Sequence, residues 1–484
     1  MRKSKVGHKG SEKPAKWTIV DPSPNDLAKK MSSQDSVTTQ LSSPGVPHEE
    51  SILDNYFELL SQNHCDKAKE LVDSEKDGHK FSYAAYWGET LQCLSQLATA
   101  EKNYSHLVFL SQKRFTQIVR TKDSAKSIYS MLLQEFQRMK SSFAPTISRS
   151  RDSESEQLLA HINGQLCFFV HARIRMIEFY EQLASLGSTR QAVNFEDLVV
   201  VCEEIQNEHI REFHHPLVSP LRAVCSFECD ILCHLLRAQV LMSSWSYLAC
   251  VVQLYQAHSK LNSWSDMIPM KEVKTAFGRS TGKISPLPPL YNWLFKLKGF
   301  LLSKFGFYFY DTLAKQTVPA ELKLAVSKCP EDFVGKVQTF QKKSDATDVF
   351  LVLNAQGLTG HVRDGGYHHP DKYAPPLQGL ETYTPIFSYP HERAINILHW
   401  PNIVMLINTD SEGDKVRFFY DKMTERRPHS SYFIVKVDAR ISLVVVFESK
   451  KNEKDSSINS FMSDMATQLR CQNVMAGLKS FARS

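Results

Sequence analysis

Residues 432–447 read Tyr-Phe-Ile-Val-Lys-Val-Asp-Ala-Arg-Ile-Ser-Leu-Val-Val-Val-Phe, and the reading of this stretch decides the fold class. Two runs, Tyr432–Val437 and Ile441–Phe447, flank Asp438, Ala439 and Arg440. β-branched side chains dominate both runs, as a sheet with a buried face requires. Three residues between two such runs predict a tight turn, and so an antiparallel pair.

Working outward, Val349–Leu353, Ile403–Ile407 and Val416–Tyr420 are further strand candidates. Phe333–Phe340 reads as a helix leading into the sheet. Ser457–Phe481 closes it as an amphipathic helix with Ile458, Phe461, Met462, Met465, Leu469 and Val474 on its apolar side. The expectation is a single sheet of about five strands with helices packed on it. By analogy, a central sheet flanked by helices suits a roadblock or longin type of scaffold.

Toward the N-terminus the apolar period changes to about 3.6, and from Ser51 to Val326 little reads as strand. Ile52, Tyr56, Leu59 and Leu60 open the block. Helices are expected over Tyr83–Ala98, Tyr104–Val119, Ser124–Lys140, Leu159–Leu183 and Phe195–Ile210. Leu221–Leu261 is apolar on more than one face, as a central bundle helix is. Pro145 and a serine-rich run mark residues 141–155 as a surface linker. The whole is therefore α+β. A multi-helix bundle spans 49–327, and a smaller sheet domain flanked by helices spans 328–484. Residues 1–48, rich in Ser, Pro and Lys, form a tail expected not to fold.

The chain has 484 residues, with 58 Lys and Arg against 52 Asp and Glu. The tail holds eight basic and four acidic residues, so most of the +6 net charge sits there. The body shows no basic stripe of the kind a nucleic-acid protein carries, and no nucleic-acid partner is expected. The basic start lacks a following apolar run, so no secretory signal is expected, and Met31 offers a second start. Val240–Tyr255, the most hydrophobic stretch, is interrupted by Ser243, Ser244, Ser246 and Gln253. It falls short of the roughly 20 apolar residues of a bilayer crossing.

Chemistry-bearing motifs are sparse. Cys225, Cys229 and Cys233 would share one helical stripe, but Leu221, Leu232, Leu235 and Leu236 around them point to core packing in a reduced protein. Gly278-Arg-Ser-Thr-Gly-Lys-Ile lacks the first glycine and the hydroxyl of a phosphate loop. His214 and His215, being adjacent and followed by Pro216, suit a turn better than a metal. No catalytic residue, metal or cofactor is assigned.

Two segments remain as candidate contact surfaces. Residues 355–390 have little regular pattern and many glycines and prolines, and ordered loops of that length tend to be functional. Arg363, Tyr367, His368, His369, Tyr373 and Tyr383 are its candidate partner-contact residues, since such types anchor interfaces. A metal or hydrolytic site could be drawn from His361, His368, His369 and Asp371, but no catalytic motif accompanies them. Tyr291–Thr312 mixes aromatics with Lys296, Lys298 and Lys304. A surface-lying membrane helix has this composition, and so does a buried interdomain helix with snorkelling lysines. Gly299 and Gly306 favour the buried reading. Trp293, Lys296, Lys298, Lys304 and Phe307 are its candidate interface or membrane-contact residues.

Several long strings resemble one family. Gln165-Leu-Cys-Phe-Phe-Val-His-Ala-Arg, Phe213-His-His-Pro-Leu-Val-Ser-Pro-Leu, Asp230-Ile-Leu-Cys-His-Leu-Leu-Arg-Ala-Gln and Lys296-Leu-Lys-Gly-Phe-Leu-Leu-Ser-Lys-Phe look like the small helical subunit of KICSTOR. Gly366-Tyr-His-His-Pro, His399-Trp-Pro-Asn-Ile-Val-Met and Phe447-Glu-Ser-Lys-Lys-Asn-Glu add to this, and the resemblance runs from about residue 50 to 480. It implies a non-enzymatic scaffold that works with kaptin, an FG-GAP-repeat protein and a very large seizure-threshold protein. It further implies a place on the cytoplasmic face of the lysosome or in the cytoplasm, with membrane contact indirect. There the assembly would hold the GATOR complex, which stimulates GTP hydrolysis by Rag GTPases, and so restrain mTOR signalling when amino acids or glucose are scarce. The family has also been linked to the cilium.

Overall fold

A computed structural model describes residues 48–78, 85–111, 125–143, 152–189, 193–269, 271–274, 280–284, 287–358, 377–391, 398–409, 415–422 and 429–482. Contacts divide the chain after Val46, and Pro47–Ser484 form one unit. Of the expected basic tail, residues 1–48, all but His48 lies outside the described residues, and His48 instead opens the first helix.

The first half is helical, as its period predicts. α1 (His48–Ser61) pairs with α2 (Cys65–Gly78), and α3 (Ala85–Ser105), α4 (Ala125–Phe143) and the long α5 (Asp152–Leu186) pack on one another. The second expected helix is longer than drawn: α3 runs on through Tyr104. The third, Tyr104–Val119, is corrected. Leu107 takes the left-handed conformation, φ 56°, and only a 3-10 turn at Val108–Leu110 follows; 112–119 lie outside the described residues. The expected 141–155 linker is shortened, since residues 141–143 end α4 and 152–155 open α5, while 144–151 lie outside the described residues. α6 (Phe195–Ile205) starts where the Asn194 side chain accepts the Glu196 amide, and Glu196 and Asp197 complement its positive end. It runs into a π-type turn at Gln206–Ile210.

The single helix expected over Leu221–Leu261 is two, α7 (Ser219–Ser243) and α8 (Tyr247–Asp266). Trp245 takes φ 60° between them. The Ser246 amide donates to Leu241 O and the Trp245 amide to Met242 O, the paired bonds that close a helix at a left-handed residue. Glycine usually fills that position. Here the indole packs on Phe309 at 4.3 Å between ring centres, which offsets a backbone cost of about 1–2 kcal/mol. An unexpected short hairpin follows, β1 (Lys271–Lys274) antiparallel to β2 (Ser280–Ile284), the little strand found before residue 326 among the described residues. Both strands are short, and their polar sequences carry no alternating pattern to betray them.

α9 (Pro289–Tyr308), α10 (Tyr310–Gln316), α11 (Pro319–Ser327) and α12 (Phe333–Ser344) lead to the sheet. It comprises β3 (Asp348–Asn354), β4 (Tyr383–Tyr389), β5 (Arg417–Asp421), β6 (Ser430–Lys436) and β7 (Ile441–Phe447). Their order is β4-β3-β7-β6-β5 and every neighbour is antiparallel. The expected hairpin is β6–β7. Residues 403–407, expected as a strand, instead belong to helix α13 (Trp400–Asn408). Pro401 suits a first helical turn, and Trp400, Ile403, Val404 and Ile407 share the 3.6-residue stripe that meets the sheet. The fifth strand is β4, inside the segment expected to be irregular. The closing helix is three: α14 (Ser456–Leu469), α15 (Gln472–Ala476) and α16 (Leu478–Phe481). The break falls at left-handed Cys471, φ 63°.

Helices flank the sheet on both faces, the arrangement on which the roadblock or longin analogy rests. Val349, Leu351, Leu353, Phe433, Val435, Leu443 and Val445 join a core continuous with the helical half. Their neighbours Phe350, Val352, Tyr432, Ile434, Val444 and Val446 face α13. Both faces are buried, which is why β7 is apolar at nearly every position, each side chain contributing roughly 1.5–3 kcal/mol.

Candidate functional site

A buried polar cluster ties α3, α4, α5 and α7 together. Arg173 on α5 donates through Nε and Nη2 to both Glu101 carboxylate oxygens at 3.0 and 2.9 Å, and through Nη1 to Glu228 at 2.7 Å. Tyr129 donates to Glu101 at 2.6 Å, while Tyr104 and Tyr180 donate to Glu228 at 2.5 and 2.9 Å. Burial pushes these three phenols well above their ordinary pKa, so they stay protonated donors. Sequence reading placed Arg173 within the Leu159–Leu183 helix but found neither Glu101 nor Glu228. They lie 72 and 55 residues away, and only a cation in an apolar stripe could have hinted at them.

A second cluster joins the helical half to the sheet. Lys304 of α9 is fully buried and donates to Asp438 at 2.8 Å, Gln239 at 2.9 Å and Leu469 O at 2.6 Å. Asp438, in the β6–β7 turn, also accepts from Ser243 at 2.7 Å and Tyr308 at 3.2 Å. Nearby, Trp293 Nε1 donates to Val474 O at 3.0 Å. A Cβ on Gly187 would lie 2.3 Å from the Ala476 amide nitrogen, so the end of α5 and α15 approach closely because residue 187 has no side chain.

The candidate contact residues are therefore placed as follows. Trp293, Lys304 and Phe307 are buried, inside the interface between helical half and sheet. Lys296 and Lys298 sit on the outward face of α9, Lys298 over the half-exposed Phe295 ring at 4.3 Å. Tyr383 lies on β4, only 8 % exposed, its hydroxyl bonded to Asn408. Arg363, Tyr367, His368, His369 and Tyr373 lie outside the described residues. His215 caps the turn before α7, its Nδ1 accepting the Leu217 amide. Cys225, Cys229 and Cys233 are core residues. Among the described residues no group of three or more His, Cys, Asp or Glu could hold a metal, and no helix is long and apolar enough to cross a membrane.

The exposed feature that sequence reading missed is on α8. Cys250, Leu254, Ala257, Leu261 and Trp264 face the core, while Leu248, Val251, Val252 and Tyr255 form an outward stripe, 44, 38, 50 and 69 % exposed. Their i, i+3, i+4, i+7 spacing makes one continuous apolar face free of charge. Single exposed apolar residues are ordinary, and these four differ in lying together along one helical stripe. The helix is apolar on two sides because one side meets its own core and the other is open.

The protein is thus an α+β chain whose polar clusters brace helices and sheet and whose open face is an apolar helix. The family model for KICSTOR complex C12orf66-like proteins matches residues 42–483, and the chain belongs to that family. It is 36 % identical over 442 residues to KICSTOR subunit 2 of Xenopus laevis, covering 90 % of this chain and 97 % of the relative. Against KICSTOR subunit 2 of Danio rerio it is 36 % identical over 445 residues, covering 90 % and 96 %.

Proposed function

We propose that this chain is a non-enzymatic scaffold subunit of a KICSTOR-type complex. The observation that carries the reading is the match to KICSTOR subunits along nearly the whole folded body, with the open α8 stripe offering a docking face. In this reading its partners are kaptin, an FG-GAP-repeat protein and the very large seizure-threshold protein. The assembly holds the GATOR complex, which acts on Rag GTPases, at the cytoplasmic face of the lysosome and restrains mTOR signalling when amino acids or glucose are scarce. A role at the cilium belongs to the same reading.

Co-expression of the tagged chain with those subunits, followed by size exclusion and quantitative mass spectrometry, tests it. Near-equal recovery of the subunits in one peak is the expected result. A chain that elutes alone, folded, would overturn it.

A further inference from the structure

A cleft of about 780 Å³ opens where the helical half meets one end of the sheet. That volume is within the usual range of small-molecule sites, about 300–1,000 Å³. Strand register explains what lines it. Pairing of Leu353 with Ile441, Lys436 with Ser442 and Arg417 with Ile434 puts the ends of β3 and β6 and the starts of β7 and β5 on one side. The cations Lys415, Arg417, Lys436, Arg440 and Arg470 converge there, between Val240 of α7 and Phe195 at the start of α6.

Among the described residues the charge in this cleft is unbalanced. Its acidic lining residues are Glu196 and Asp438, and Asp438 already pairs with Lys304. None of Lys415, Arg417, Lys436 and Arg440 has a carboxylate partner among the described residues. Arg417 is instead held by carbonyls: Nη1 donates to Leu406 O at 2.6 Å and Thr409 O at 2.9 Å, at the end of α13. Arg440 donates through Nη1 to Gln356 O at 2.7 Å. Both guanidinium groups are therefore fixed in place, with Nε and Nη2 uncommitted among the described residues. Burial lowers the Arg417 pKa, the mark of a cation drawn out of water without a counter-charge. A fork of this kind fits phosphate oxygens in pairs.

We infer that the cleft binds a small, multiply charged phosphate compound, with Lys415, Arg417, Lys436 and Arg440 as its contacts and Val240, Ile407 and Phe195 beside its uncharged part. This does not depend on the scaffold reading. The chain itself carries a competing source of negative charge: Asp410, Glu412 and Asp414 join Thr409 to Lys415, and both of these line the cleft.

The test is titration calorimetry of the full chain with inorganic tripolyphosphate at physiological salt, alongside flotation with phosphoinositide-containing vesicles. Saturable binding in solution is expected, weakened roughly tenfold or more in Lys436→Gln/Arg440→Gln, since a charged hydrogen bond is worth about 1.5–3 kcal/mol. The exposed Lys415→Gln gives the same direction without touching packed residues. Flotation without binding in solution would assign the chemistry to a lipid headgroup and overturn the small-molecule site. Binding that survives both variants would place the anion elsewhere and overturn it. So would no binding by the wild type. In that case binding restored in Asp410→Asn/Glu412→Gln/Asp414→Asn would identify the chain's own acidic segment as the occupant.

Discussion

Lys304 and Asp438 are 134 residues apart in sequence, yet a fully buried ammonium meets a carboxylate at 2.8 Å and pins the β6–β7 turn to α9. The pair is enclosed by Gln239, Ser243, Tyr308 and the Leu469 carbonyl, so almost every donor and acceptor is used. Removing one partner strands the other. Lys304→Met or Asp438→Asn is expected to cost about 3–5 kcal/mol in urea unfolding, while the double variant should cost less than the two added together.

The Arg173 cluster should answer differently to charge and to shape. Arg173→Leu leaves Glu101 and Glu228 buried without a cation and is expected to lose about 3–5 kcal/mol. Arg173→Lys keeps the charge but not the fork that reaches both oxygens of Glu101 and one of Glu228, so partial loss is expected. Thermal melts of the two variants side by side measure the difference.

On α8 the expectation is reversed. Val252→Asp and Tyr255→Ala lie on the open face, so stability should move by about 0.5 kcal/mol or less. Recovery of partner subunits in co-expression should fall several-fold. Unchanged recovery would release this stripe from the docking role.

Three histidines are expected to make the fold acid-sensitive. Burial lowers the pKa of His209, and the neighbouring His171, at 3.2 Å, and Arg175 lower it further while Glu208 opposes. Burial lowers His215 and His391 as well. A group depressed in the folded state takes up its proton on unfolding. Stability is therefore full above about pH 6.5 and declines as the pH drops from there toward the folded-state values. Unfolding midpoints measured from pH 7.5 to 5.5 should fall, and fall less in His209→Gln.

The cysteines should be inert in the folded chain. All ten are free, burial carries Cys65 and Cys250 up to about 12, and it carries Cys93, Cys167 and Cys471 up to about 11. A thiol reagent at neutral pH should label the native protein slowly and the urea-unfolded protein completely.

The parts of this architecture legible in the sequence are those written locally. β6 and β7 carry their own β-branched runs, and α4, α5 and α12 their own period. α13 was misread because Ile403, Val404 and Ile407 satisfy strand propensity and helical spacing at once, and the sheet face that decides between them lies elsewhere in the chain. Trp245 hid the α7–α8 break, since no glycine marks it. β4 was hidden among prolines and glycines, although Tyr383-Thr-Pro-Ile-Phe-Ser-Tyr sits on a sheet edge, where a proline costs no bond within the ladder. The exposed α8 stripe was the least legible part. Buried Trp293 and Phe307 and exposed Val252 and Tyr255 are alike in composition, and only the packing tells an inward aromatic from an outward one.

The bond from Trp293 to Val474 has a consequence for biosynthesis. The two residues are 181 positions apart, and at about 5–20 residues per second a ribosome reaches Val474 roughly 9–36 s after Trp293. Through that interval α9 and the end of α5 lack the segment that covers them. Until that segment emerges they stay uncovered, and a frameshift that spares every helix of the first half would still leave that half unsealed.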